Sequence, residues 1–233
     1  MAVPPNTDEA FLREVDDELR RDQLTSFWTR YGRLTIGAIV LALAIFAGVL
    51  YWLHHQNQVA GEQGEQLKTV NDLLAERKVP AAAKPLQELA ASDIKGYRAS
   101  ARFMQADLLL QKNDLKGAAA KFAEVAADTS VGAPFRDLAL IRQTSAEFDT
   151  IKPEVVINRL RPLAVKGSPW FGSAGELMAA AYLRQNRADL AGPIFAGIAR
   201  EETVPPTLRQ RAVQMAGVLG IDAVDQPEEK KAP

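Results

Sequence analysis

The chain has 233 residues, with 28 lysines and arginines against 29 aspartates and glutamates, two histidines and no cysteine. Hydrophobic residues make up 47% of it and charged residues 24%, which are values of folded proteins, so the composition excludes wholesale disorder. The net charge of −1 argues against a nucleic-acid-binding protein, and the lack of cysteine excludes a disulfide framework, a thiolate metal site and a cysteine nucleophile. Only His54 and His55 can supply imidazole, so the composition disfavours an enzyme.

Residues 1–33 are predicted to form an N-terminal tail that contains a short amphipathic helix. Apolar residues recur there at helical spacing, at Phe11, Leu12, Val15 and Leu19. This helix could dock on a cytoplasmic partner or on lipid headgroups, or it could only solubilise the chain and set its orientation in a membrane. The sequence leaves these interpretations open.

Residues 34–53 are predicted to form a transmembrane helix. The twenty residues from Leu34 to Leu53 carry no charge, and a helix of this length spans about 30 Å, the thickness of the hydrocarbon core of a bilayer. Aromatic residues flank the stretch as they do at membrane interfaces, at Trp28, Tyr31, Tyr51 and Trp52. A buried core helix is rarely so uniformly apolar. The apolar region of a cleaved signal peptide follows a short basic start, whereas 33 residues precede this stretch. The sequence therefore indicates a membrane anchor.

The basic residues near the two ends of this helix predict its orientation. Four arginines lie within about 15 residues before its start, the window in which such charges count, at positions 20, 21, 30 and 33, whereas the first lysine or arginine beyond Leu53 is Lys68. Because basic residues near a membrane helix favour the cytoplasmic side, the N-terminus is expected in the cytoplasm and the long C-terminal part on the other side.

Residues 54–223 are predicted to be helical, and residues 224–233 to be a disordered tail. Strong helix formers dominate the long segment, and glycine and proline interrupt it about every 15–20 residues. Helix breaks are expected at these places: Val79-Pro80, Gly96, Gly132 with Pro134, Lys152-Pro153, Gly167 with Pro169, and Val204-Pro205-Pro206. Pro85, Pro162 and Pro193 fall outside this pattern and are expected in first turns or at kinks.

A four-position pattern of small and large apolar residues recurs four times in the helical segment. It is found at Ala82, Leu86, Leu89 and Ala90; at Ala118, Phe122, Val125 and Ala126; at Val156, Leu160, Leu163 and Ala164; and at Ala191, Phe195, Ile198 and Ala199. The leading positions are 36, 38 and 35 residues apart, and Asn113 and Asn186 are expected in the turns within two of the helix pairs. This pattern resembles the tetratricopeptide repeat. The predicted fold is all-α, with a single transmembrane helix followed by a degenerate tetratricopeptide-like α-solenoid of about four helix pairs plus a capping helix.

The order of several short segments resembles the YfgM-like family. These segments are FLREVDDELRRDQLTSFWTRYGRLTIGAIV from Phe11 to Val40, Tyr51-Trp52 with His54 and Gln56, PFRDLALIR from Pro134 to Arg142, and Ser168 to Tyr182. The family comprises ancillary subunits of the Sec translocon, which are single-pass proteins of the bacterial inner membrane with a cytoplasmic N-terminus and a periplasmic tetratricopeptide-like domain. The resemblance implies the Sec translocon and a periplasmic chaperone as partners. The highly charged N-terminal tail of residues 1–33 departs from the family, so the family's cytoplasmic contacts are not carried over to this chain.

A search for chemical motifs identifies no catalytic, cofactor-binding or metal-binding residues. The sequence has no glycine-rich phosphate loop, and adjacent histidines such as His54 and His55 point apart on a helix and lack a third ligand. The predicted function is protein binding by the first helices of the pairs, which line the concave face of such arrays. The candidate partner-binding residues are Asn71, Phe103, Asp107, Ile141, Phe148, Glu176 and Arg184. The alternatives are another envelope scaffold, serving cell division or cytochrome maturation, and a hydrolase with an unrecognised site.

Overall fold

The computed structural model describes the backbone of residues 7–223 and the side chains of Thr25 and of residues 28–223. Within this range the chain is helical, without strands, and its helices are α1 (Thr7–Ala75), α2 (Val79–Ala90), α3 (Lys95–Gln111), α4 (Leu115–Ala127), α5 (Ala133–Glu147), α6 (Pro153–Leu160), α7 (Phe171–Arg184), α8 (Ala188–Arg200) and α9 (Pro206–Val218). The chain divides into two compact units, residues 1–61 and residues 62–233, and the boundary between them falls within α1.

The first unit contains the apolar stretch from Leu34 to Leu53. Every large apolar side chain in this stretch is exposed, from 44% for Leu53 to 74% for Tyr51. Its one polar side chain, Thr35, donates a hydrogen bond of 3.0 Å to the carbonyl oxygen of Tyr31 and so exposes no unpaired donor. Among the described residues, one helix is long and apolar enough to cross a membrane, over Trp28–Ala75.

The second unit stacks its helices in the order of the sequence. The end of α1 pairs with α2, α3 with α4, α5 with α6 and α7 with α8, and α9 covers the last pair. Its apolar core is a succession of clusters, each built from two or three consecutive helices. Stability in such a stack comes from each repeat and its contacts with its neighbours. The predicted fold class, a long apolar helix followed by about four tetratricopeptide-like pairs and a capping helix, is confirmed.

The recurring apolar pattern identifies the core positions of the second helices. The first three members of each set are buried, except Leu163, and the fourth member is half-buried in all four repeats. Ala118 and Ala191 are each fully buried, as expected for small residues at which two helices touch. In the third repeat α6 ends at Leu160, and Pro162 follows directly after this end, so Leu163 and Ala164 lie beyond the helix.

The turns within three of the pairs share one backbone geometry. Arg77, Asn113 and Asn186 have φ of 58–59°, and in each turn the following residue donates a hydrogen bond to the carbonyl oxygen five positions back. This is the Schellman motif, in which one left-handed residue ends a helix. The predicted turn positions Asn113 and Asn186 are therefore confirmed. Asparagine suits them because it tolerates a positive φ better than most residues.

Glycine and proline lie mostly at helix starts rather than at helix ends. Pro80, Pro134 and Pro153 occupy the first or second positions of α2, α5 and α6, where the missing amide hydrogen costs no helical bond. Gly96 is likewise the second residue of α3, so the break expected there lies just before it, between α2 and α3. Pro85 and Pro193 lie inside α2 and α8, not in their first turns. The tail of residues 224–233, which is predicted to be disordered, lies outside the described residues.

Candidate protein-interaction surface

The seven residues predicted to bind a partner lie on the first helices of the pairs or directly after one of them. Asn71 is exposed near the end of α1, Phe103 and Asp107 are half-buried in α3, Ile141 is buried in α5, Phe148 is half-buried just after α5, and Glu176 and Arg184 lie in α7. The structure thus puts six of them on four successive first helices and Phe148 directly after the third of these.

The apolar members of this set serve the core. Ile141 is 5% exposed and packs with Val156 and Leu160 of α6. The ring of Phe103 lies 5.6 Å from that of Phe122 and 6.5 Å from that of Phe135, measured between centroids, so it joins α3 to α4 and α5. Aromatic pairs at these separations stabilise a core beyond their buried area. These side chains therefore offer a partner little free surface.

The polar members form contacts between successive repeats. Asp107 of α3 accepts a hydrogen bond from Arg142 of α5, and Glu176 of α7 accepts two from Arg211 of α9. Each pair spans 35 residues of sequence, which is one repeat. We call these two contacts, with the one described next, the inter-repeat pairs.

The third inter-repeat pair joins α5 to α7 through an aromatic ring. Arg184 donates a hydrogen bond to the carbonyl oxygen of Phe148, 36 residues earlier, and its guanidinium carbon lies 5.2 Å from the centre of the Phe148 ring. Arg142 is held in a similar way, 5.0 Å from the centre of the Phe122 ring. A guanidinium group packs well on an aromatic face, so these arginines are oriented by both contacts.

The electrostatics of the inter-repeat pairs are those of half-exposed groups. The Arg211 side chain is 54% exposed and that of Glu176 28% exposed. The hydrogen bonds from Arg211 to the Glu176 carboxylate raise the pKa of the guanidinium further above its ordinary value, so Arg211 stays charged. Such partly exposed pairs contribute little stability in water, so these contacts link successive repeats without adding much to the free energy of folding.

A groove lies beside the first inter-repeat pair, at the turn within the first helix pair. It encloses about 680 Å³ between the end of α1, the start of α2 and the C-terminal half of α3. Its lining is apolar at Leu74, Val79, Met104 and Leu108, and it includes Asp107. The set of candidate partner-binding residues does not include these apolar residues. Helix spacing could have indicated two of them, because Met104 lies three positions before Asp107 and Leu108 one position after it.

A second polar network holds the loops at the opposite ends of these helices. Arg98 of α3 donates hydrogen bonds to the Ser92 carbonyl, to the Asp128 carboxylate at 3.2 Å and to the Ser130 hydroxyl at 2.7 Å. Ser130 in turn donates to Asp128, and this bond is the main cause of the lowered pKa of the Asp128 carboxyl. The network ties the loop before α3 to the loop before α5. Nothing in the local sequence pattern marks it, because its members are up to 38 residues apart.

The described residues contain no group of three or more histidine, aspartate or glutamate side chains placed to hold a metal ion. The side chains of His54 and His55 are exposed, and the His55 ring stacks on Tyr51 with centroids 6.4 Å apart. What the described surface offers is a row of helices with polar links between them and, at one end, a groove lined by both apolar and polar side chains. This arrangement suits protein binding.

Comparison with known proteins agrees with this architecture. No curated protein and no solved structure matches the chain. The tetratricopeptide repeat-like domain family matches residues 25–196, roughly three quarters of the chain, from a point in α1 that precedes the apolar stretch to the middle of α8. Domains of this kind are scaffolds that mediate protein–protein interaction. The chain therefore belongs to the tetratricopeptide repeat-like domain family.

Proposed function

We propose that this protein is a membrane-anchored scaffold whose tetratricopeptide-like domain binds protein partners at the outer side of the cytoplasmic membrane. One observation carries the proposal: a helix with an uncharged stretch of twenty residues, whose large apolar side chains are all exposed, and a helical-repeat domain occur in the same chain. The anchor confines the repeat domain to the membrane plane, which raises its effective concentration near a membrane partner.

Exposure of the apolar stretch supports the anchor. Residues Leu34 to Leu53 place large apolar side chains on every side of the helix, and none of them is buried. Contiguous apolar surface of this size is rare on soluble proteins and is stable in hydrocarbon, where a helix satisfies all its own backbone hydrogen bonds. Residues 34–53 are therefore proposed as the transmembrane segment, with residues 1–33 in the cytoplasm and residues 54–223 as the translocated domain.

The orientation can be tested cleanly because the chain contains no cysteine. Single cysteines are introduced at Thr7 and at Asn158, an exposed position of α6. In spheroplasts with an intact membrane, an impermeant maleimide is expected to label the cysteine at position 158 and not the one at position 7. Labelling at position 7 alone would mean that the arginines do not set the orientation.

The proposed partners are the Sec translocon and a periplasmic chaperone. The resemblance to the YfgM-like family supports these names, and the tetratricopeptide-like architecture supports protein binding in general. We place the interaction on the first helices, at Asn71, Phe103, Asp107, Ile141, Phe148, Glu176 and Arg184, together with the groove beside Asp107. Since several of these residues are engaged within the domain, a partner would contact their exposed edges and the exposed residues between them.

Site-specific photo-crosslinking tests the surface and the partners together. A photoreactive amino acid is placed at Asn71 or Ser145, exposed positions on first helices, and at Gln87 or Ala120, exposed positions on second helices. Crosslinks to Sec subunits or to a chaperone are expected from the first-helix positions only. Crosslinks from the second-helix positions alone would refute the proposed surface, and crosslinks to division or cytochrome-maturation proteins would replace the proposed partners.

A further inference from the structure

The helix segment just before the apolar stretch carries positive charge without any acidic residue. Between Gln23 and Gly61 the sequence contains Arg30 and Arg33 and neither aspartate nor glutamate. Neither guanidinium group makes an ion pair in the part of the chain that the structure describes. Arg30 lies 5.8 Å from the centre of the Tyr31 ring, so its aromatic contact leaves the charge uncompensated.

A glycine creates a notch between these two arginines. The Trp28 indole lies over Gly32, and a Cβ atom at this glycine would meet three indole carbons at 3.6 Å. Gly32 is therefore buried although its neighbours along the helix are exposed. The notch encloses about 490 Å³ and is lined by Trp28, Thr29, Arg30, Gly32, Arg33 and Ile36.

The lining of the notch changes from polar to apolar along the helix. Arg30 and Arg33 lie in the last turn before Leu34, and Ile36 is already inside the apolar stretch. Arginine binds phosphate oxygens through two parallel hydrogen bonds, and tryptophan favours the level of the lipid headgroups. A ligand that carries both a phosphate and a hydrocarbon chain would satisfy both ends of the notch.

We propose that this notch binds the headgroup of an anionic phospholipid, with Arg30 and Arg33 on the phosphate and Trp28 against the glycerol and first methylenes. The inference rests on the proposed membrane anchor, which brings the notch to the headgroup layer. A lipid is favoured over free phosphate because the notch continues into the apolar stretch. Binding there orients the anchor and enriches anionic lipid around it.

The test uses the full chain in vesicles that contain phosphatidylcholine and phosphatidylglycerol, with Trp28 as the reporter. Trp52 and Trp170, the other two tryptophans, are replaced by phenylalanine. Quenching of Trp28 by brominated phosphatidylglycerol is compared with quenching by brominated phosphatidylcholine at the same mole fraction. Each arginine is expected to enrich the anionic lipid about fivefold at the reporter, so the unaltered notch should show a clear preference.

Two variants separate the notch from general electrostatic attraction. Arg30→Gln with Arg33→Gln should abolish the preference, whereas Arg20→Gln with Arg21→Gln removes the same charge outside the notch and should retain most of it. Gly32→Leu keeps both arginines but fills the space under the indole, and should also reduce the preference. Equal losses in the two arginine pairs, or full preference in Gly32→Leu, would overturn the proposal.

Two further measurements distinguish the alternatives. Inorganic phosphate, added at constant ionic strength in place of chloride, should leave the preference for phosphatidylglycerol unchanged. Loss of this preference would identify a site for small anions and refute the lipid site. Resistance to alkaline extraction from pure phosphatidylcholine vesicles tests the anchor independently. Extraction of the unaltered protein would refute the proposed anchor, whereas stable insertion without lipid preference would refute this site alone.

Discussion

The two units of this protein differ in how far they bury aromatic side chains and pair arginines with carboxylates. Phe46 is 61% exposed in the first unit, whereas Phe122 is fully buried in the second. Arg33 has no ion-pair partner among the described residues, whereas Arg142 and Arg211 are paired with carboxylates one repeat away. The difference teaches that the two units are built for different surroundings. In the second unit, these apolar groups pack together and these charges pair with carboxylates within the chain, whereas in the first unit the apolar side chains of residues 34–53 and the guanidinium of Arg33 are left exposed.

The largest expected effect comes from making the apolar stretch incompatible with lipid. Ala42→Asp together with Ala44→Asp places two charges near its middle, each costing about 2.5–3.5 kcal/mol of insertion free energy. We expect the variant to be extracted from membranes by alkaline carbonate, with unchanged far-UV circular dichroism of the repeat domain.

The matched control for this variant lies in the second unit. Ala120→Asp adds a charge at an exposed position of α4 and should leave membrane association intact. Stable insertion of the double variant at positions 42 and 44 would contradict the assignment of this stretch to the hydrocarbon core.

The next effect concerns the core of the repeat domain. Phe122→Ala removes a fully buried ring that packs on Phe103 and lies under Arg142, and should lower the free energy of unfolding by about 3–5 kcal/mol. Phe135 is 37% exposed, so Phe135→Ala should cost only about 1 kcal/mol. Urea denaturation of the full chain in mild detergent, followed by circular dichroism, measures both. Similar losses at the two positions would mean that the burial contrast does not hold in solution.

A smaller effect tests the close helix contact at the leading position of the repeat. Ala118→Leu overpacks a fully buried site and should cost about 1–3 kcal/mol. Ala120→Leu, two residues on and exposed, should change the free energy of unfolding by about 0.5 kcal/mol or less. The same denaturation experiment compares them, and equal costs would show that the helix is rotated from its described position.

The smallest effect belongs to the inter-repeat pairs. A double-mutant cycle with Glu176→Gln and Arg211→Gln should give a coupling free energy of about 0.2–1 kcal/mol, because both side chains are partly exposed. The coupling should fall as sodium chloride is raised towards 1 M, where charges are screened over a few ångströms. A coupling that does not respond to salt would point to packing rather than charge as its origin.

Local patterns in the sequence predicted the parts of the fold that depend on neighbours along the chain. Twenty uncharged residues indicate the apolar helix without reference to any other element, and the small-and-large pattern gives the buried face of each second helix because a helix has a fixed period. Asn113 and Asn186 mark turns because the left-handed conformation is itself a local property. Gly96 and Pro80 each mark the start of a helix, which the local pattern of glycine and proline does not distinguish from a helix end.

Only the tertiary structure decided which polar groups meet. Asp107 could be read as a free carboxylate on a helix surface, but α5 brings Arg142 against it from 35 residues away. Likewise Glu176 meets Arg211 only because α9 lies against α7, and Arg98 reaches Asp128 only because the loops before α3 and α5 lie side by side. Side-chain periodicity gives the phase of one helix but carries no information on its offset along the neighbouring helix. That offset is set by how the small and large core residues interlock, and it determines which surface groups are left for a partner.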